Sequence, residues 1–122
     1  MYTAKINSSI KELSKRECVM YKDTTNCKQL DTIITDDSDI IIDIDNIIVL
    51  DVHNDKAKDN TDYKKYIIVD KSGEKYITGS ESFYRAVTDI YEELDGEDVS
   101  VKCYKMESKN YPGKSFITAS LF

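Results

Sequence analysis

The sequence predicts a mainly β fold in the order strand-strand-strand-helix-strand-strand, on three observations. From Ile40 to Thr78, β-branched and aromatic residues gather in three runs separated by polar or glycine-bearing breaks. One stretch only, Ser80 to Gly96, carries a capped apolar stripe at helical spacing. Beyond it, two runs return to the period-2 alternation of half-buried strands.

Each element has its own reason. Ile40–Val52 (IIIDIDNIIVLDV) is long and β-branched, interrupted by the turn-like pair Asp45-Asn46, so it reads equally as one bent strand or two short ones. A polar loop from His53 to Asp62 follows, then a second strand, Tyr63–Asp70. Lys71-Ser72-Gly73 is a tight turn with glycine where a positive φ is needed, leading into a third strand, Glu74–Thr78. Either Ser80, or Thr78 with Glu81 as a capping box, opens the helix. Phe83, Val87, Ile90 and Leu94 form its buried stripe, and Gly96 is placed for a left-handed cap. In Val99–Met106, Val99, Val101 and Cys103 point inward, with Lys102 and Tyr104 outward. In Ser115–Leu121, Ile117, Ala119 and Leu121 point inward, with Phe116, Thr118 and Ser120 outward. Residues 1–39 are an N-terminal extension of ambiguous pattern: Ile6, Ile10 and Leu13 have helical spacing while Tyr2, Ala4 and Ile6 alternate. Glu17–Lys22 reads as a short strand and Asp23–Asp39 as loop.

This order over residues 40–122 is that of an OB-like five-stranded barrel with one helix between strands 3 and 4, whose bent first strand serves both halves. An α+β fold with an open antiparallel sheet is the alternative. With 122 residues, 40% hydrophobic and 33% charged, the chain fits one domain. No apolar run approaches a membrane span and no secretory leader is visible, so a cytoplasmic protein without a membrane partner is expected. Three cysteines without metal-ligand spacing read as reduced thiols.

Enzymatic chemistry finds little support. His53, the one histidine, has no recognisable nucleophile or metal partner, and no phosphate-binding glycine loop or nucleophile elbow occurs. Asp43 and Asp45 could share a hard cation with Asp51 or Asp39, but a solvated acidic face is the simpler reading. No enzyme activity, cofactor or metal is therefore expected.

Charge is unevenly distributed. The total is −6, which argues against bulk attraction to duplex DNA. Segment 31–62 is strongly acidic and is a candidate docking surface for a protein partner; beyond Ser100 the balance is basic. Nine tyrosines and no tryptophan are present, several beside lysine. On an OB-like barrel such residues would line the oligonucleotide face, rings stacking bases and lysines tracking phosphates. The candidate site is Lys64, Lys65, Tyr66, Tyr76, Lys102, Tyr104, Lys105, Lys109, Tyr111, Lys114 and Phe116. The simpler reading of each is packing on a lysine stem. The expected ligand is single-stranded nucleic acid; a second copy of the chain is a further partner the sequence allows.

Two stretches carry a resemblance: Tyr76-Ile77-Thr78-Gly79-Ser80-Glu81-Ser82-Phe83 and Ser108-Lys109-Asn110-Tyr111-Pro112-Gly113-Lys114-Ser115-Phe116-Ile117-Thr118. With Lys22-Asp23-Thr24-Thr25 and Val52-His53-Asn54, they resemble small single-stranded-DNA-binding-like and replication accessory proteins of phages and mobile elements of low-GC Gram-positive bacteria. The resemblance implies an OB-like nucleic-acid binder. Many such binders end in an acidic recruiting tail; here the last residues are Ala119-Ser120-Leu121-Phe122, so that mode of recruitment is not expected.

Overall fold

The computed structural model describes residues 2–35, 38–56, 61–107 and 115–122. Ten elements follow in order: β1 (Tyr2–Ser9), α1 (Lys15–Lys22), β2 (Lys28–Gln29), α2 (Leu30–Ile33), β3 (Ile40–Asn54), β4 (Asp62–Asp70), β5 (Lys75–Thr78), α3 (Glu81–Glu93), β6 (Ser100–Glu107) and β7 (Ser115–Leu121). The six elements predicted from Ile40 onward are all present. The strands form a curled, open mixed sheet, a half-barrel, in the order β2-β5-β4-β3-β6-β7 with β1 also paired to β3.

β3 organises the sheet, and it is one bent strand. Lys71 N donates to Asp43 O while Ile44 N donates to Val99 O, so β4 and β6 lie on opposite edges of β3. β6 pairs with Ile40–Asp43 only, and β1 takes over the β3 edge from Ile48 to Asn54. The ladder to β4 shifts register between Ile44 and Asn46. Here the turn-like residues of the sequence find their use: buried Asn46 turns its Oδ1 to accept from Lys11 N at 3.0 Å and from Ile47 N at 2.9 Å. The bulge reverses which β3 residues face which side, because side-chain direction alternates along a strand.

Two apolar clusters result, one on each side of the sheet. Inside the curl, Ile42, Ile44, Ile47, Ile68, Val101, Cys103 and Ile117 pack with Phe83 and Val87 of α3 and with Leu30 and Ile34 around α2. On the outer side, Ile48, Leu50, Val52, Ile67, Val69 and Ile77 are closed by Tyr21 of α1. Described residues among the first 39 are therefore part of the sheet and of both clusters, where the sequence left their structure open.

Several local expectations are corrected. Glu17–Lys22 is helical, because Ser14 and Glu17 form a reciprocal capping box: Glu17 N donates to Ser14 Oγ at 3.2 Å and Ser14 N to Glu17 Oε1 at 3.1 Å. Lys75 Nζ then ties the end of α1 to β5, donating to Met20 O and Asp23 O. Asp23–Asp39 holds β2 and α2 besides loop, since Leu30 and Ile34 are fully buried and anchor it. In α3, Tyr91 joins Phe83 and Val87 as a buried residue, while Ile90 and Leu94 are only half-buried. Ser80, not Thr78, caps this helix, accepting from Phe83 N. Leu121 is 57% exposed, past the end of the interior that Ile117 and Ala119 fill. The glycine expectations stand: φ is +93° at Gly73 and +74° at Gly96. Among the described residues no helix is long and apolar enough to cross a membrane.

Candidate nucleic-acid interface

The sheet extends past the N-terminal end of α3, and its face there is open. Pairing of β1, β3 and β4 sets side chains in rows across it: Lys5 opposite Asp51 opposite Lys64, and Thr3 opposite His53 opposite Asp62. Three adjoining grooves, about 640, 500 and 450 Å³, form a trough along this face. Tyr63 and Lys64 line both the first and the second groove; Tyr84 of α3 lines both the second and the third. Arg85 stands over the middle of the trough, paired with Glu81 one turn back at 2.7 Å.

The electrostatics of the trough are asymmetric. Lys5 and Lys64 have no carboxylate within ion-pair distance among the described residues. The acids beside them are engaged. Asp51 accepts from Asn7 Nδ2 at 2.9 Å. His53 stands between two carboxylates, with Nδ1 2.6 Å from Asp62 and Nε2 bonded to Asp55. Its pKa is held above the ordinary value, first by Asp62 and then by Asp55; the same contact holds the Asp55 carboxyl below its usual range.

Among the described residues, other carboxylates of the acidic segment are likewise used within the chain. Asp31 accepts from Thr78 Oγ1 at 3.0 Å, and Asp39 meets Lys102 at 3.4 Å. Asp43 accepts from Ser100 Oγ, and Asp45 pairs with Lys11 at 2.7 Å. The carboxylates weighed as cation ligands are thus each spoken for, and no group of three metal-binding side chains gathers among the described residues.

The structure does not bring the residues proposed from sequence together. Lys64 and Tyr66 line the trough, but Tyr66 is buried and stacked on Tyr84, with ring centroids 4.4 Å apart and planes 18° from parallel. Burial also raises its pKa. Lys65 points to the other side of β4, 5.9 Å above the Tyr63 ring and against Gly79. Tyr76 faces the interior beside Ile68, half-buried, with Lys28 over its ring at 5.9 Å. Of the outward residues of β4 and β5, which an OB-like barrel would offer to a ligand, Ile67, Val69 and Ile77 are apolar and packed beneath α1.

Lys102, Tyr104 and Phe116 share the outer surface of β6 and β7, far from the trough. β6 pairs with the Ile40–Asp43 end of β3 while the trough lies along its other end, and Ile41 and Asp51, which Lys102 and Lys64 face, are roughly 30 Å apart along it. Lys102 is held by Asp39, and Tyr104 Oη bonds Ser120 Oγ at 2.8 Å. Lys105 lies on the interior-facing side of β6, opposite Ile117. Lys109, Tyr111 and Lys114 lie outside the described residues. Sequence reasoning missed Lys5, Asn7, Tyr84 and Arg85. Only Arg85 carried a local signal, its spacing from Glu81; Lys5 and Asn7 depend on β1 finding β3, and Tyr84 on α3 meeting β4.

Comparison with protein-family models, with curated proteins and with solved structures gave no match.

Proposed function

We propose that this protein is a non-enzymatic binder of single-stranded nucleic acid, DNA foremost, and that the ligand lies in the trough across β1, β3 and β4. The observation that carries the reading is the contrast in charge use: acids in and around the trough are bonded within the chain, while Lys5 and Lys64 have no carboxylate partner among the described residues and Arg85 flanks them. Phosphates would meet Lys5, Lys64 and Arg85, and bases the exposed part of Tyr84. This accommodates a chain of net charge −6, since the local balance at the ligand, not the total, steers binding.

The same reading takes the half-barrel as an opened OB-like sheet. Its support is the order β5-β4-β3-β6-β7 with α3 between the third and fourth of these strands in sequence, and a first strand shared by both halves. In place of closure, β5 pairs with β2. The setting the resemblance implies is the DNA metabolism of a phage or mobile element. A docking role for the acidic segment is less favoured, because Asp31, Asp39, Asp43, Asp45 and Asp51 already bond to other parts of the fold.

Fluorescence anisotropy of labelled oligo-dT tests the proposal. With three phosphate contacts, log affinity against log salt should fall with a slope of about −2. The double substitution Lys5→Glu/Lys64→Glu should weaken binding more than about tenfold, and Lys102→Glu, on the far surface, should not. No anisotropy change at low salt, or equal sensitivity to Lys102→Glu, would refute it.

A further inference from the structure

The trough changes character at Tyr84. This half-buried ring is shared by the groove that holds Lys64 and Arg85 and by the groove of about 450 Å³, which Ile10, Thr88, Tyr91, Glu92 and Asp95 also line. Thr88, Tyr91 and Glu92 share one face of the last turns of α3, and Asp95 follows on the turn beyond it. No basic residue stands in that last turn, and Glu92 and Asp95 have no ion-pair partner among the described residues. Lys11, next to Ile10, is already paired with Asp45 at 2.7 Å. Thr88 Oγ1 donates to Tyr84 O at 2.9 Å, with Arg85 O at 3.1 Å, which leaves its lone pairs for a ligand. The rim is thus rich in acceptors. Tyr91 adds a second, independent feature. It is only 9% exposed, yet its hydroxyl is not sealed in the interior and has no hydrogen-bond partner among the described residues. That hydroxyl lies over Gly96, where a Cβ would stand 2.8 Å away. A nearly buried polar group left unpaired at a groove is in place for a ligand.

We propose that this groove is a specificity pocket for a guanine base of a single strand, in which the Glu92 and Asp95 carboxylates accept from N1–H and the N2 amino group and the Tyr91 hydroxyl donates to O6. The inference rests on the trough being the nucleic-acid site, and adds to it a preference among bases. Continuity selects the occupant: the groove shares Tyr84 with the one that would hold phosphates at Lys64 and Arg85, so what reaches it is carried by the same strand. A phosphate is turned away by the two unpaired carboxylates. Ile10 and Tyr84 offer apolar walls to the faces of a base. Among the bases, guanine presents two neighbouring donors on its Watson–Crick edge, which suits carboxylates that only accept. Thymine sets its one N–H between two carbonyl oxygens, which the same carboxylates repel. Adenine and cytosine each place one amino group beside a ring acceptor and fall between.

Anisotropy of two labelled strands of equal length, oligo-dT and the same strand with one central guanine, tests the inference on the full chain. The guanine strand should bind at least about fivefold tighter. Hypoxanthine, which lacks the N2 amino group, should reduce that advantage; 7-deazaguanine, altered on the other edge, should keep it. Glu92→Gln/Asp95→Asn should bring the guanine strand down to the affinity of oligo-dT, and Tyr91→Phe, which removes only the hydroxyl, should shrink the difference. Guanosine alone should shift the amide NMR signals of Ile10, Thr88 and Tyr91 where thymidine does not, a readout that needs no strand to bind. Oligo-dT that binds while the guanine strand binds no tighter overturns the pocket and leaves the trough reading in place. So does an advantage that survives the double substitution. Strands that fail to bind while guanosine shifts those amides refute the trough reading instead, and failure of both overturns both.

Discussion

Asn46→Ala tests how the bend in β3 is held. The Asn46 side chain is buried at the point where β6 leaves one edge of β3 and β1 arrives, and its Oδ1 accepts from Lys11 N and Ile47 N. Alanine removes both hydrogen bonds and leaves two backbone donors without that acceptor. At about 1 kcal/mol net for each bond, the loss is about 2 kcal/mol, since water reaches the part-buried Lys11 amide and offsets some of the desolvation penalty. For a chain of this length that corresponds to a fall of about 8 °C in melting temperature. Lys11→Ala is the control: it deletes an ion pair to Asp45 whose partners are each about half exposed, and keeps the backbone N–H. Such a pair contributes less than about 1 kcal/mol. Thermal unfolding by circular dichroism measures both variants. Amide exchange should localise the Asn46→Ala effect, with Ile10, which donates to Ile47 O at 3.1 Å, exchanging faster while the β3–β4 ladder is unchanged. If Asn46→Ala melts within about 2 °C of the parent, or no lower than Lys11→Ala, the amide does not hold the fork and the reasoning fails.

Two further outcomes concern charge and backbone. The pKa of His53 is raised above 6.5 by Asp62 and Asp55, so its contribution to stability is complete below 6.5 and is lost as pH rises through the folded-state value; urea midpoints should fall across that interval in the parent protein and lose this component in His53→Gln, while a proton NMR titration placing His53 at or below 6.5 would contradict the clamp. Gly96→Ala should be more destabilising than Gly73→Ala in urea unfolding: both put a side chain at positive φ, at about 1–2 kcal/mol, but a Cβ at Gly96 would lie 2.8 Å from Tyr91 Oη, whereas one at Gly73 meets nothing within 4 Å; equal losses would show that the Tyr91 ring yields freely.

How much was legible depended on how local the cause was. The strands of β3–β5, the positive φ at Gly73 and Gly96 and the alternation of β6 and of β7 as far as Ala119 each rest on residues within a few positions of one another and were read correctly, and Ser80 was one of the two caps the sequence offered. Glu17–Lys22 was misread because a short apolar run fits either period, and the Ser14–Glu17 capping box decided it. The candidate site was legible only in Lys64 and Tyr66, and Tyr66 proved to be held by Tyr84 rather than free to stack. Lys5 entered the site because β1 pairs with β3 across some fifty residues of chain, a contact with no local signature.

The sequence by itself determined a mainly β chain with one strong helix, its turn positions and the segregation of acidic from basic residues, since these follow from periodicity and composition. Only the tertiary structure decided which faces remain open. The bulge at Asn46 exchanges the sides of β3, α1 closes the outer surface of β4 and β5, and Asp39 and Asp45 are spent on contacts from distant segments. Exposure is a property of what else packs nearby, and that is fixed by pairings between segments far apart in the chain.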